Sequence, residues 1–285
     1  MKPAPFAYEA PETLEEAVAL LAVEGEEVRP LAGGQSLVPL LNFRLARPDR
    51  LVDLNGVGEL AYLRRDGEVL RIGALARSGE LVRSADAAAS WPLLVEAARL
   101  VGHPQIRARG TVCGSVAHAD PAAELPVALA AFDARFHVRS ARGARTLSAG
   151  ELFVSFFTTA LEPDELLVEV EVPAPPPRTG GAFVEHARTH GDFALAGAAA
   201  VVTLDEAGRC AGARLALLAA GPTPVRALAA ESLLVGSGLG PDAVEAAAEA
   251  AVRGLELSGG DVDWRRALLR ELARQALAAA AWRAA

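Results

Sequence analysis

The sequence predicts an α+β chain built from two or three compact units, and three observations carry that expectation. The chain has 285 residues, 52% of them apolar, which exceeds one minimal domain and supplies a sizeable core. Short strand-like runs alternate with stretches of helical periodicity up to residue 173. The run Pro173 to Arg178 (PAPPPR) then reads as a stiff linker, because it cannot continue a strand ladder. Aromatic residues make up only 5% while alanine abounds, so the core is expected to be Ala, Leu and Val packed closely.

The elements follow in order. Phe6 to Tyr8 suggests a short strand. Thr13 with Glu16 has capping-box spacing ahead of a helix over Leu14 to Ala22. Val28 to Leu31 and Leu51 to Leu54 read as strands, which makes residues 1–57 a small mixed α/β unit. A hairpin is expected at Ala61 to Arg65 and Val69 to Ile72, turning at Asp66-Gly67. Helices are expected near Ser78 to Val82 and Pro92 to Val101. A glycine-rich loop follows from Gly110 to Asp120, then a helix over Pro121 to Ala131 with proline in its first turn. Phe136 to Arg139 and Thr146 to Leu147 flank a turn at Arg142-Gly143. Leu167 to Val172 alternates acidic and aliphatic residues as an edge or half-buried strand does, closing a second unit over 58–173. Over 179–285, Ala182 to Arg188, Ala198 to Leu204 and Arg209 to Leu217 form an antiparallel meander with a turn at Glu206 to Gly208. Helices over Pro224 to Val235, Pro241 to Leu255 and Trp264 to Trp282 close the chain.

Composition narrows the function. A net charge of −8 argues against nucleic acid as a partner, since phosphate binding needs a concentrated basic face. No stretch reads as a membrane-spanning helix, and Pro3, Pro5 and Glu9 break any secretory signal, so a cytoplasmic location is expected. Cys113 and Cys210 are the two cysteines. They are too few for a thiolate-bound zinc or iron–sulfur cluster, so cluster chemistry must sit on another chain.

Two segments carry chemistry. In AGGQSL, Ala32 to Leu37, a strand runs into paired glycines that leave backbone N–H groups bare for a phosphate, with Gln35 and Ser36 adding side-chain donors. Alone, the segment reads equally as a tight strand-to-helix turn, and it matches neither GxGxxG nor a P-loop. In RARGTVCGSVAHADPAAELP, Arg107 to Pro126, Gly110 and Gly114 bracket a second turn, with hydroxyls on Thr111 and Ser115. Asp120 and Glu124 could stabilise a helix N-terminus or accept hydrogen bonds from ribose hydroxyls. Two such loops followed by an acid suggest a cofactor bearing a diphosphate.

These two segments, with HGDFALAG at His190 to Gly197, resemble the flavoprotein subunits of the xanthine dehydrogenase and carbon monoxide dehydrogenase family of molybdenum hydroxylases. The resemblance covers nearly the whole chain. It implies a two-subdomain FAD-binding domain of the vanillyl-alcohol-oxidase (PCMH) type. It also implies a C-terminal domain made of a small antiparallel sheet and a three-helix bundle. FAD is the implied cofactor, and Ala32, Gly33, Gly34, Gln35, Ser36, Leu37, Thr111, Gly114 and Ser115 should line its diphosphate. Ala119, Glu124, Val101, Leu167 and Phe193 fall at other cofactor-contacting positions. The implied partners are an iron–sulfur small subunit and a molybdopterin large subunit, in a dimer of heterotrimers. The implied role is to pass electrons from the clusters through FAD to an external acceptor.

Three positions depart from the family pattern. Cys113 replaces the first glycine of TxGGN or TxGGS, so one backbone approach is expected to change. Val101 removes a stacking face. A lysine that relatives carry appears here as Val184 or Glu185. A stand-alone FAD-dependent oxidase and a scaffold subunit that has lost FAD are the rival readings.

Other candidates are weaker. His186 and His190, at i and i+4, lack a third metal ligand and read as surface histidines. Ser115, His118 and Asp120 share one loop without a GxSxG elbow, which argues against a triad. His103 should hold the loop before Gln105. The run Arg265, Arg266, Arg270 and Arg274 reads as a solvated helix face.

Overall fold

Three sheets and one short hairpin organise the chain, and side-chain alternation decides what each sheet covers. The structure, a computed structural model, describes residues 2–285. The first unit holds β1 (Ala7–Glu9), α1 (Leu14–Leu21), β2 (Val28–Leu31), α2 (Leu37–Asn42) and β3 (Arg50–Asp53). Its sheet is parallel, in the order β1-β3-β2. Thr13 Oγ1 accepts from the Glu16 N–H at 3.2 Å and caps α1, but the Glu16 carboxylate returns to the Glu12 N–H at 2.9 Å. The expected capping box is therefore closed one residue early.

The second unit begins with the hairpin β4 (Leu63–Asp66) and β5 (Val69–Gly73). Asp66 pairs with Val69, so the turn is Gly67-Glu68, one residue later than expected, with Gly67 left-handed at φ +58°. Then come α3 (Ser78–Arg83), α4 (Ala85–Ser90), α5 (Pro92–Leu100), α6 (Pro104–Arg109), α7 (Val112–His118) and α8 (Glu124–Ala131). The expected glycine-rich loop is thus mostly helix α7, started by a cap from Thr111. Helix α8 starts three residues after Pro121, because Asp120 turns the chain first by accepting from the Ala122 N–H at 2.9 Å. The unit ends with β6 (Arg135–Ser140), β7 (Gly143–Ser148), α9 (Ala149–Leu152), the small hairpin β8 (Phe153–Ser155) and β9 (Thr158–Thr159), and β10 (Leu166–Pro173).

The five-stranded antiparallel sheet runs β4-β5-β10-β6-β7, so β10 is its central strand. Of the two expected readings, an edge or a half-buried strand, the second is the one that formed. Val170 and Val172 are fully buried on one face, while Glu169 and Glu171 sit on the other. Arg71 neutralises both acids, at 2.7 and 3.2 Å, and the Tyr62 hydroxyl donates to Glu169 at 2.7 Å. Acids in a central strand are tolerated because a guanidinium bridges them. The same guanidinium fills the space that His137, Glu169 and Glu171 would otherwise offer a metal ion.

The third unit is a four-stranded antiparallel sheet, β11 (Thr179–His186), β12 (Ala196–Leu204), β13 (Cys210–Leu218) and β14 (Val225–Arg226), followed by α10 (Leu228–Leu234), α11 (Pro241–Val252) and α12 (Val262–Ala284). Strand β12 (AGAAAVVTL) is buried on both faces. Ala198, Ala200 and Val202 enter the core beneath the three helices, while Ala199 and Val201 enter the core of the preceding unit. The period of two in a strand thus splits one strand between two cores. The small side chains permit close approach: a Cβ on Gly180 would lie 2.1 Å from the Ala280 carbonyl oxygen of α12. The expected core of Ala, Leu and Val is what the two clusters contain.

The arginine run on α12 is not a wholly solvated face. Arg265 donates to the Ala219 and Ser258 carbonyls, and Arg266 donates to the Val252 and Leu255 carbonyls at the end of α11. Arg266 thereby caps the carboxyl end of α11, while Arg265 ties α12 to the segments after β13 and before α12.

Candidate cofactor site

The two glycine loops meet backbone to backbone. The first leaves the carboxyl end of β2, where ligands of parallel sheets commonly lie. A Cβ on Gly33 would sit 2.4 Å from the Arg109 carbonyl oxygen and 2.7 Å from the Gly110 Cα. Only glycine lets the loops come this close. Gly34 holds φ +73°, a left-handed conformation that glycine adopts freely. Gln35 donates to the Gly33 carbonyl at 3.0 Å, which tightens the turn. Among the described residues the backbone N–H groups of Gly33, Gly34, Gln35 and Ser36 donate to no protein acceptor. Four consecutive unspent donors are a cradle for an anion.

The second loop adds to it. Thr111 is buried and its Oγ1 accepts from the Gly114 N–H at 3.0 Å, which opens α7. A Cβ on Gly114 would lie 2.6 Å from that oxygen. The Ser36 and Ser115 hydroxyls have no protein partner among the described residues. At the far end of α7, Ala119 takes the left-handed conformation at φ 51°, and its carbonyl accepts from Phe157 N–H at 3.0 Å.

A polar brace joins the loops, and the motifs alone did not point to it. Asn55 Nδ2 donates to the Ala32 carbonyl at 3.0 Å, Arg77 donates to Asn55 Oδ1 at 2.6 Å, and Arg77 donates to the Arg109 carbonyl at 2.7 Å. Asn55 follows β3, the neighbour of β2, so both arise at the same carboxyl edge of the parallel sheet. That placement was the available signal.

The remaining expected residues lie at different depths. Glu124, at the start of α8, is only 7% exposed, and burial pushes its carboxyl up to about 8, with help from Glu185 and Asp120. Glu185, on β11, is pushed up to about 7 by burial, and its Oε2 is buried without a hydrogen-bond partner. Val101 ends α5 and packs on the core. The His103 ring beside it abuts the HGDF turn: a Cβ on Gly191 would lie 2.5 Å from His103 Cε1. Phe193 on that turn is 72% exposed. Leu167, on β10, is buried in the core.

Cys113, the departure from the glycine pattern, lies in the first turn of α7. Its side chain is buried in the core, with Sγ 3.6 Å from the Ile72 carbonyl, and burial pushes its thiol up. The side chain thus faces β5.

Known proteins share this fold. Residues 4–175 match the family described as the FAD binding domain in molybdopterin dehydrogenase, and residues 181–280 match the CO dehydrogenase flavoprotein C-terminal domain. The chain is 46% identical to the 6-hydroxypseudooxynicotine dehydrogenase complex subunit alpha of Paenarthrobacter nicotinovorans, covering 100% of this chain and 97% of that one. It is 38% identical to the carbon monoxide dehydrogenase medium chain of Hydrogenophaga pseudoflava, covering 98% of each. Superposed on a solved structure of carbon monoxide dehydrogenase from that organism, it reaches a TM-score of 0.96 at 40% identity over the full length of both chains. The four unspent backbone donors of the first loop, with the unpartnered Ser36 and Ser115 hydroxyls, suit a diphosphate, as FAD requires. The chain belongs to the FAD-binding medium subunits of the xanthine dehydrogenase and carbon monoxide dehydrogenase family of molybdenum hydroxylases.

Proposed function

We propose that this chain holds FAD between its two glycine loops and uses it to pass electrons from iron–sulfur clusters on a partner chain to an external acceptor. The observation that carries the reading is the run of four free N–H donors, Gly33 to Ser36, set against the backbone of Arg109 and Gly110 just before Thr111. In this reading Ala32 to Leu37, Thr111, Gly114 and Ser115 hold the diphosphate. Ala119, Glu124, Val101, Leu167 and Phe193 lie toward the rest of the cofactor. FAD supplies the redox chemistry, and the protein binds it, orients it and sets its surroundings. Arg77 and Asn55 hold the loops in register, so the donors are in place before the cofactor arrives.

The partners in this reading are an iron–sulfur small subunit and a molybdopterin large subunit, assembled as a dimer of heterotrimers. Substrate binds on the large subunit. The working units of this chain are 1–57, 58–173 and 179–285. No helix among the described residues is long and apolar enough to cross a membrane. The relay reading is tested by anaerobic mixing of the FAD-loaded chain with its chemically reduced iron–sulfur partner. Bleaching of the flavin absorbance on mixing is expected. Bleaching of the chain alone by a small organic substrate would favour an autonomous oxidase.

A further inference from the structure

Helix α6 touches a different unit at each end. His103 precedes it in extended backbone, and the His103 carbonyl accepts from the Ile106 and Arg107 N–H groups at 2.9 and 3.1 Å. The His103 ring packs on the turn between β11 and β12 of the third unit. A Cβ on Gly191 would lie 2.5 Å from its Cε1, 2.8 Å from Nδ1 and 3.0 Å from Nε2. Gly191 also holds φ +88°, so conformation and space both favour glycine there. The His190 ring flanks the contact, its centroid 6.2 Å from that of His103. At the other end of α6, the Arg109 carbonyl and the Gly110 Cα lie against Gly33 of the first unit.

The helix between these contacts is short and firmly held. Its six residues span about 9 Å. The Gly110 N–H donates to the Ile106 carbonyl at 2.7 Å, and Arg107 donates to the Val101 and Gly102 carbonyls at 3.0 and 2.8 Å, which fixes the corner from α5. Gly102 turns that corner at φ +48°. The facing turn is anchored too. The Leu195 N–H donates to the His186 carbonyl at 2.8 Å, the Asp192 N–H donates to the Thr189 carbonyl at 3.1 Å, and Ala194 is buried. Both sides of the contact are therefore tied down, and packed groups that cannot yield pass a displacement on.

We propose that His103 is a positioning residue for the cofactor. It seats the His190–Phe193 turn and, through α6, holds Arg109 and Gly110 against Gly33, so the third unit helps to keep the FAD cradle closed. The inference rests on the FAD reading above. The imidazole acts by shape, as a flat ring set against a bare glycine.

Two readouts on the full chain test this. FAD release after dilution is followed by the fluorescence of the freed flavin, and the melting temperature of the FAD-free chain is measured beside it. His103→Ala should speed release about tenfold while leaving the FAD-free melt unchanged. His103→Phe, which keeps a flat ring beside Gly191, should release FAD at the wild-type rate. Gly191→Asn carries a Cβ but tolerates left-handed backbone, so it should also speed release. In a His103→Ala chain the same change should add little, because the ring it meets is gone. Equal release from wild type, His103→Ala and Gly191→Asn overturns the seat and leaves the cradle standing. Additive effects in the double variant overturn it as well, as does a lowered FAD-free melt in His103→Ala that His103→Phe does not rescue. A wild-type chain that takes up no FAD defeats the cradle reading, and this inference with it.

Discussion

At the residue scale, Cys113 and Glu124 show how a sequence motif and a side chain's surroundings divide the information. The motif singled out both positions. It could not tell that the Cys113 side chain turns into the core, because direction depends on α7 forming where a loop was expected. Cys113→Gly should leave FAD affinity unchanged and lower stability by about 1–2 kcal/mol, from a lost buried side chain and a glycine in a helix. A calorimetric melt with an FAD titration checks both. Glu124 has a linkage consequence. In the unfolded chain its carboxyl ionises near 4.5, while in the folded chain it keeps its proton to about 8. The native state therefore binds more protons between those values, so stability falls as pH rises through that window. The melting temperature of wild type should drop relative to Glu124→Gln between about pH 5 and pH 9, and below pH 4.5 the difference should level off.

At the element scale, the working part is the contact between two loops, each ordinary by itself. AGGQSL was legible as a strand running into bare backbone, and β2 with its following turn is what formed. The missing knowledge was proximity. Nothing local announces that Gly33 lies against the Arg109 carbonyl, 76 positions away by residue number. The brace through Asn55 and Arg77 was hidden for the same reason, since its members come from two sheets. Arg77→Met should free the Arg109 carbonyl and loosen the pair, lowering FAD affinity at least about tenfold, or about 1.4 kcal/mol. Equilibrium titration of the variant against wild type checks this. Leu167 to Val172, read as an edge or half-buried strand, could not be assigned to the sheet centre for a related reason. Its acids look solvent-facing until Arg71 and Tyr62, about a hundred positions earlier, are folded beside them.

At the scale of the whole molecule, the third unit is fastened to the second by burial and by charge. Strand β12 contributes alternate side chains to both cores. Arg226 reaches across the seam to Asp133 at 2.6 Å and the Ala130 carbonyl at 3.1 Å, while pairing with the buried Glu231 at 2.7 Å. The linker PAPPPR marked where the units divide, but the seam itself joins residues more than ninety positions apart, beyond any local pattern. Arg226→Met should strand Glu231 without a cation and cost about 3 kcal/mol, read from the urea unfolding midpoint.

The central claim is that the two glycine loops together hold FAD. The visible absorption of the purified chain after saturation with FAD and removal of excess tests it most directly, with Gly33→Val alongside, since a side chain at Gly33 meets the Arg109 carbonyl. One FAD per wild-type chain and a colourless but folded Gly33→Val are expected. A wild-type chain that retains no FAD, or a Gly33→Val variant that retains as much as wild type, would contradict it.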